Sequence, residues 1–250
     1  MKRQKKIKII ITIILSIVVI FSTIRIINIL NARSRVSELQ EELLELTEIE
    51  KTLAEYGGET YEFINVNFDR LLGINAETVG WIVFNQINFP IVQSQDNDFY
   101  LHHSFDHRRN MYGSIFMDFR NNLFYDQNTV VYGHNATNSR NMFGSLRDLL
   151  RENYFESGND IIQISTPTKN MNYQIFSIYQ IEVEDYYITP RFTEEEYQIF
   201  LNTMIKRSRH EFNITPQTTD RILTLSTCYG GPGTTRRLVV HAVLISTQIR

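Results

Sequence analysis

Eight short stretches of β-type sequence, which begin after residue 78, place the strongest constraint on what this chain can fold into. Each is rich in β-branched or aromatic residues and is bounded by Asn, Asp, Gly or Pro, as strands joined by turns are. In chain order they read VGWIVF, FPIVQ, GSIFMDF, NTVVYG, DIIQIS, NYQIFSIYQIEV, RILTLST and LVVHAVLIS. Runs of this number and length predict an antiparallel barrel or sandwich.

Helical periodicity precedes and interrupts these strands. Apolar residues recur at helical spacing between Val36 and Leu53, and a Gly-Gly pair follows as a C-cap, so we expect a helix over residues 32–57. It can pack on the domain as a surface helix, which we favour, or act as a spacer or short coiled coil. Further helices are predicted at 61–75, 142–151 and 193–212, the last with Thr193 as its N-cap.

The N-terminus has the pattern of a membrane anchor. Residues 1–8 carry five basic residues and no acidic one, and sixteen uncharged residues, Ile9 to Ile24, follow. Taken from Ile7 to Leu30, 24 residues with Lys8 and Arg25 near the ends, such a helix reaches roughly 36 Å, enough to cross a hydrocarbon core of ~30 Å. Basic residues before the span favour a cytoplasmic N-terminus and an extracellular domain. A cleaved signal peptide is the alternative, although no convincing small-residue cleavage site follows.

These features divide the chain into three parts. We expect a basic head and transmembrane anchor over residues 1–31, a juxtamembrane helix over 32–57 and one globular domain over 58–250. After residue 8 the chain holds 20 basic and 28 acidic residues, a net charge of −8. That balance argues against nucleic-acid binding.

The single cysteine, Cys228, stands at the end of a predicted strand, before the Gly- and Pro-rich turn YGGPG. A lone thiol cannot form an internal disulfide, so an exported domain of this composition must draw its stability from its core. The thiol is either a buried core residue or a nucleophile, and its position leaves both interpretations open. Since a free thiol is mostly protonated at pH 7, a nucleophilic cysteine needs a basic or cationic neighbour.

Of the six histidines, His134 is best placed to be that neighbour, because it too stands at a predicted strand end, after NTVVYG. If the two strand ends share one rim of a barrel, the imidazole could meet the thiol. His241 lies mid-strand, where a buried, hydrogen-bonded histidine is expected. The histidines between 102 and 107 lack the accompanying ligands of a known metal site, so we expect no metal there.

Two arginines, Arg236 and Arg237, follow the cysteine turn, and strand alternation sends their side chains to opposite faces. One guanidinium would point toward Cys228 and could stabilise a developing oxyanion; a solvated surface charge is the alternative. Ser226, on the strand face of Cys228, and the adjacent Thr227 are candidates for substrate contacts. A plain strand hydroxyl is the alternative for Ser226.

The residues around these positions resemble class B sortases, the cell-wall cysteine transpeptidases of Gram-positive bacteria. TLSTC at 224–228, VYGHN at 131–135 and RLVVHA at 237–242 carry the resemblance, supported by GWI, YLHHSF and GSIFMDFRN. It extends from about residue 55 to the C-terminus. It implies a mainly β fold, an eight-stranded sortase-type barrel with N-terminal helices and a helix inserted before the cysteine-bearing strand.

The same resemblance assigns roles to the site residues. Cys228 would be the nucleophile, His134 the acid/base and Arg237 the catalytic arginine, with Arg236 as the alternative. The thiol would attack the Thr carbonyl of an NPQTN-like or related sorting signal near the C-terminus of a surface protein. An amine of peptidoglycan or of its lipid-linked precursor would then resolve the thioester. Neither a metal nor an organic cofactor is implied.

Two other functions stay open on the residues themselves. A papain-like cell-wall cysteine peptidase would normally place its cysteine at the start of a helix, whereas Cys228 ends a predicted strand. A membrane-tethered binding module would carry Cys228 as an inert thiol. Slow alkylation of the thiol that does not depend on His134 would favour the binding module.

Overall fold

The computed structural model describes residues 2–135, 142–157, 160–230 and 233–250, and within them the chain forms ten strands and four α-helices. The strands are β1 (Glu50–Tyr56), β2 (Glu59–Asn65), β3 (Thr78–Phe84), β4 (Ile87–Val92), β5 (Ile115–Met117), β6 (Asn128–Tyr132), β7 (Ile161–Ser165), β8 (Lys169–Glu182), β9 (Ile222–Cys228) and β10 (Arg236–Ile249). The helices are α1 (Lys2–Thr47), α2 (Asp69–Ile74), α3 (Phe99–His102) and α4 (Glu194–Arg207). Short 3₁₀ segments cover Leu123–Tyr125, Phe143–Leu150, Tyr154–Ser157 and Tyr186–Ile188.

Strands β3 to β10 close into one barrel, in the order β10-β8-β7-β3-β4-β5-β6-β9. These are the eight stretches identified in the sequence, so the barrel prediction is confirmed. The expectation of a purely antiparallel sheet is wrong, because β4 pairs in parallel with β5, and β6 in parallel with β9. Parallel neighbours need a crossover connection. The long segments that follow β4 and β6 supply these crossovers.

Side-chain alternation along β9 and β10 separates the barrel interior from its outer face. Leu223, Leu225 and Val240 lie in the barrel core. Ile222 and Val239 point outward and are covered by the apolar face of α4, which consists of Tyr197, Phe200, Leu201 and Met204. The outer face of the cysteine-bearing strand is therefore packed under α4 until it approaches the rim.

Helix α4 is the helix predicted before the cysteine-bearing strand, and it begins as predicted. The Thr193 side chain accepts a hydrogen bond from the Glu196 backbone amide, and the Glu196 carboxylate accepts one from the Thr193 amide. This reciprocal capping box satisfies two amides of the first turn. The helix ends at Arg207, so the final five residues of the predicted range 193–212 are not helical.

The predicted helix over residues 32–57 is wrong beyond Thr47. Helix α1 runs unbroken from Lys2 to Thr47, and β1 then pairs with β2 as a hairpin. Its turn is Gly57–Gly58, with φ of 61° and 88°. Positive φ at both positions suits a two-residue hairpin turn, so the glycine pair joins two strands instead of capping a helix. The same hairpin takes up the first part of the predicted helix 61–75, of which Asp69–Ile74 is helical.

The two halves of α1 have different surroundings. Val36 and Leu43 are 3% and 2% exposed against the barrel, and Gln40 Nε2 donates to the Asn88 carbonyl at 3.1 Å. This confirms the surface-helix interpretation for the part that follows residue 31. The apolar side chains from Ile7 to Leu30 are exposed. With a mean hydropathy of 2.7 in its most apolar window, α1 is long and apolar enough to cross a membrane.

His241 is the buried strand histidine that the sequence predicts. It is 0% exposed, its Nε2 lies 2.9 Å from the Tyr179 hydroxyl, and its Nδ1 lies 2.8 Å from Thr224 Oγ1. Burial, reinforced by the positive charge of Arg207, lowers the pKa of His241 from 6.5 to about 3. The ring is therefore neutral at pH 7. It is packed between the outer face of the barrel and α4, where it contacts Phe200.

We expect this histidine to make the free energy of unfolding fall as the pH drops below 6.5. The unfolded chain takes up the proton near pH 6.5, whereas the folded chain takes it up only near pH 3. The contribution of His241 to stability is therefore complete above pH 6.5. It is lost as the pH falls toward 3, by ~1.4 kcal/mol per pH unit. Urea unfolding at a series of pH values should show a smaller slope for His241→Gln; equal slopes would contradict this assignment.

Candidate active site

Cys228 and Arg237 lie opposite each other at one rim of the barrel. Cys228 is the last residue of β9, and it is the direct antiparallel partner of Arg237 at the start of β10. Side chains opposite one another in an antiparallel pair share a face and have Cβ atoms ~5 Å apart. Both side chains therefore stand on the outer face of the barrel, beyond the part covered by α4.

Strand β6 pairs with β9 on the edge opposite to β10, and it places His134 beside Cys228. The two strands run in parallel, and Tyr132 pairs with Ser226 as their last partners. His134 and Cys228 each follow two residues later, so alternation places both on the face of those partners. Asn135 Nδ2 donates to the Cys228 carbonyl at 2.7 Å, which keeps the two strand ends side by side beyond the ladder.

The His134 ring is oriented by a main-chain carbonyl. Its Nε2 lies 2.8 Å from the Leu101 oxygen. Because a carbonyl only accepts, Nε2 carries the proton and the neutral ring has its lone pair on Nδ1. Burial lowers the pKa of His134 from its ordinary value of 6.5, against the opposing effect of the Leu101 carbonyl. The imidazole is thus neutral at pH 7 and can accept a proton from a thiol.

The carbonyl that holds His134 is itself fixed by the packing of α3. Tyr100 is 1% exposed, and its hydroxyl donates to the Glu77 carboxylate and accepts from Asn75 Nδ2. Gly113, with φ of 54°, packs so closely that a Cβ atom would lie 2.7 Å from the Leu101 oxygen. Sequence reasoning missed the role of Leu101, because a main-chain contact leaves no side-chain signature. The glycine in GSIFMDF was the nearest available signal.

The two predicted substrate-contacting hydroxyls lie inside the protein. Ser226 is 2% exposed, with its Oγ 3.1 Å from the Tyr187 hydroxyl. Thr227 is 3% exposed and donates to the Gly133 carbonyl at 2.6 Å. Thr227 therefore ties the end of β9 to the end of β6, one residue before Cys228 on the first strand and one before His134 on the second. A substrate contact by Ser226 or Thr227 stays a prediction.

The arginine pair diverges as strand alternation predicts. Arg237 is partly buried, and its Nη1 donates to the Thr234 and Arg236 carbonyls at 3.3 and 3.1 Å. Arg236 is exposed, with its Nε 3.8 Å from a carboxylate oxygen of Glu182. Within the predicted turn YGGPG, Gly231 and Pro232 lie outside the described residues. Arg237 is thus the arginine on the face of Cys228.

Metal chemistry receives no support from the part of the chain that the structure describes. There, no three His, Cys, Asp or Glu side chains come together as a metal-binding group. In the cluster after residue 101, His103 Nδ1 is bonded to the Phe99 carbonyl, and His107 Nε2 lies 3.1 Å from the Tyr100 hydroxyl. His103 and His107 thus each use a ring nitrogen in a contact within their own segment of the chain.

Sequence comparison places the chain in one family. Residues 84–245 match the model of the sortase domain. The chain is 36% identical over 159 residues to sortase B of Listeria monocytogenes, an alignment that covers 62% of this chain and 64%, less than two thirds, of that protein. It is 31% identical over 192 residues to sortase B of Staphylococcus aureus, covering 75% and 78% of the two chains.

Solved structures agree with this assignment. The Staphylococcus aureus sortase B–substrate complex matches with a TM-score of 0.67 and 36% identity, over 72% of this chain and 85% of that chain. A sortase B complexed with triglycine matches with a TM-score of 0.68 and 36% identity, over 72% and 86%. The chain therefore belongs to the sortase family of cysteine transpeptidases, in class B.

Proposed function

We propose that this chain is a membrane-anchored transpeptidase that cleaves a C-terminal sorting signal after Thr and transfers the protein to a peptidoglycan amine. The observation that carries the proposal is the alignment of His134, Cys228 and Arg237 at one level of the neighbouring strands β6, β9 and β10. A nucleophile flanked by a base and a guanidinium is an arrangement suited to acyl transfer.

In the first half-reaction the Cys228 thiol gives its proton to His134, and its sulfur attacks the Thr carbonyl carbon. A tetrahedral oxyanion forms, and the Arg237 guanidinium stabilises it together with backbone amides near the cysteine. Collapse of this intermediate breaks the peptide bond. The protonated His134 then delivers the proton to the leaving amine, which leaves an acyl thioester on Cys228.

In the second half-reaction an amine of peptidoglycan, or of its lipid-linked precursor, attacks the thioester carbonyl. His134 accepts the proton of that amine and returns it to the departing thiolate, so the free enzyme is restored. The complex of a sortase B with triglycine supports an amine of the oligoglycine kind as acceptor. The substrate complex of the Staphylococcus aureus protein supports a sorting-signal substrate, and we propose an NPQTN-like or related sequence.

The geometry argues against a papain-like peptidase, and an alkylation experiment distinguishes the transpeptidase from a non-catalytic binding module. Cys228 ends a strand, whereas a papain-like peptidase places its cysteine at the start of a helix. A non-catalytic binding module would show slow thiol alkylation, unaffected by His134→Ala. In a transpeptidase, alkylation of Cys228 should slow markedly when the neighbouring base is removed.

The direct test of function is product analysis with a pentapeptide library and candidate amines. We expect mass spectrometry to show cleavage after Thr and a new peptide bond between that Thr and the added amine. Hydrolysis that no amine diverts would indicate a peptidase instead. An absence of turnover on every sequence in the library would favour the binding module.

For Arg237, we expect a loss that falls mainly on kcat, because the oxyanion develops only in the transition state. Removal of one oxyanion donor costs roughly 10²–10³ in rate, and Lys should recover little since it lacks the forked donors of Arg. Steady-state kinetics of Arg237→Ala, Arg237→Lys and the matched control Arg236→Ala test this. A large kcat loss in Arg236→Ala beside a near-normal Arg237→Ala would exchange the two roles.

For topology, we propose a cytoplasmic N-terminus and an extracellular domain, because five basic residues precede the apolar part of α1. Protease added to intact protoplasts should then digest the domain that follows residue 31. A cytoplasmic protein blotted in the same samples controls for lysis. A protected domain in unlysed protoplasts would contradict this orientation.

A further inference from the structure

We propose that a patch beside the docked part of α1 binds anionic phospholipid headgroups, so that the domain touches the membrane at a second place. The inference rests on the proposed membrane anchor and adds a contact to it. We call this set the headgroup patch; it consists of Arg33, Arg35, Arg108, Arg109 and Met111. The first two lie on α1 and the others on the loop between β4 and β5.

The position of the patch follows from the continuity of α1. The exposed apolar surface of the helix ends at Leu30, and Asn110 Nδ2 donates to the carbonyl of Ala32 at 3.4 Å. At 1.5 Å of rise per residue, Ala32 lies ~3 Å beyond Leu30. The headgroup layer on each side of the hydrocarbon core is roughly 5–8 Å thick. The loop that carries Asn110 therefore reaches the headgroup layer when α1 spans the membrane.

The loop is held against the helix by charge as well. Arg35 Nη2 lies 3.7 Å from a carboxylate oxygen of Asp106, and Arg108 Nε lies 3.3 Å from the same oxygen. The Asp106 carboxylate thus faces two of the four arginines, Arg35 and Arg108. Glu38 and Glu42 line the same surface depression as Arg35 and Arg108. Glu38 lies three residues, or ~4.5 Å, beyond Arg35 along the helix, on the side away from the membrane. The four arginines of the patch outnumber the three carboxylates beside them, Asp106, Glu38 and Glu42, so the net charge there stays positive.

The exposed side chains suit a membrane surface. The side chains of Arg35 and Arg108 are 44% and 68% exposed, and Arg33 and Arg109 are exposed too. Met111, on the same loop as Arg108 and Arg109, is 52% exposed. Basic side chains combined with an exposed apolar side chain are typical of surfaces that bind anionic headgroups and insert into the acyl boundary.

This contact would orient the active site. The loop between β4 and β5 contains α3, whose Leu101 carbonyl holds His134. Met142, whose backbone bridges Asn135, packs in the same cluster as Val36 of α1. Docking of the headgroup patch therefore fixes the rim that carries His134 relative to the membrane, at a height set by only a few residues of α1.

The test uses the full chain in nanodiscs that contain phosphatidylglycerol and phosphatidylcholine brominated at shallow acyl positions. Met111→Trp places a fluorophore in the patch, and Leu53→Trp places one at an exposed control site on β1. Residue 53 follows the end of α1 at Thr47, which lies ~22 Å beyond Ala32 along the helix. The wild-type chain supplies the baseline, because its one tryptophan, Trp81, is 0% exposed.

We expect bromolipid to quench the tryptophan at 111 at least roughly twofold more than the one at 53. Adding Arg108→Gln and Arg109→Gln to Met111→Trp, or omitting phosphatidylglycerol, should remove most of that difference. Equal quenching at 111 and 53 in chains that co-elute with nanodiscs would overturn the proposal while leaving the anchor intact. If quenching at 111 stayed the same with Arg108→Gln and Arg109→Gln and without phosphatidylglycerol, the role of the arginines would be overturned. Failure to co-elute would contradict the anchor itself.

Discussion

Replacing Cys228 with Ala is expected to abolish peptide cleavage and transfer while leaving the barrel folded. Cys228 is the one thiol in the chain, and Ala cannot form an acyl intermediate. Loss of the nucleophile costs on the order of 10⁶ in kcat in a serine protease, so activity here should fall below detection. Product formation followed by mass spectrometry measures the loss.

The fold of this variant is checked separately. Cys228 is partly exposed at a strand end, so the substitution opens no cavity in the barrel core. Circular dichroism and the thermal unfolding midpoint should therefore match wild type. Turnover near the wild-type rate in Cys228→Ala would remove this residue from the mechanism.

His134→Ala is expected to lower kcat by about 10²–10⁴-fold, the range for a lost general acid/base. The neutral ring carries its lone pair on Nδ1, because Nε2 is bonded to the Leu101 carbonyl. Without it, neither the thiol proton nor the proton for the leaving amine has a carrier. Steady-state kinetics on a sorting-signal peptide measures the effect.

His102→Ala is the matched control for this experiment. The His102 side chain is 52% exposed and lies 3.9 Å from Asp98, on the surface of the same short helix that holds His134. Its loss should leave kcat near wild type. If His102→Ala removed activity and His134→Ala retained it, the strand-end argument for His134 would be wrong.

Much of the barrel was predictable because its strands are short, β-branched and separated by turn residues. The positions of Cys228 and His134 at strand ends were predictable for the same reason, since each precedes or follows a glycine-marked turn. The opposite faces of Arg236 and Arg237 followed from alternation alone. What these features share is that they depend on local sequence.

Features that depend on distant partners were not predictable. Gly57–Gly58 suits a helix C-cap and a hairpin turn equally, and pairing of β1 with β2 decides between them. The parallel pairing of β6 with β9 depends on how the chain crosses over between them. The contact of His134 with Leu101 is made by a main-chain oxygen, and Thr227 is recruited to Gly133 in the same way. Because both acceptors are main-chain oxygens, no pattern of side chains in the sequence predicts either contact.

The central claim is that acyl transfer passes through a thioester on Cys228, and intact-mass spectrometry of the enzyme during turnover tests it most directly. With an NPQTN-type peptide, we predict an adduct equal to the peptide segment that ends in Thr, located on Cys228 by fragmentation and absent from Cys228→Ala. Addition of triglycine should discharge the adduct and yield the Thr–Gly ligation product. Cleaved or ligated peptide formed with no adduct at any time during turnover, or with the adduct on another residue, would contradict the account.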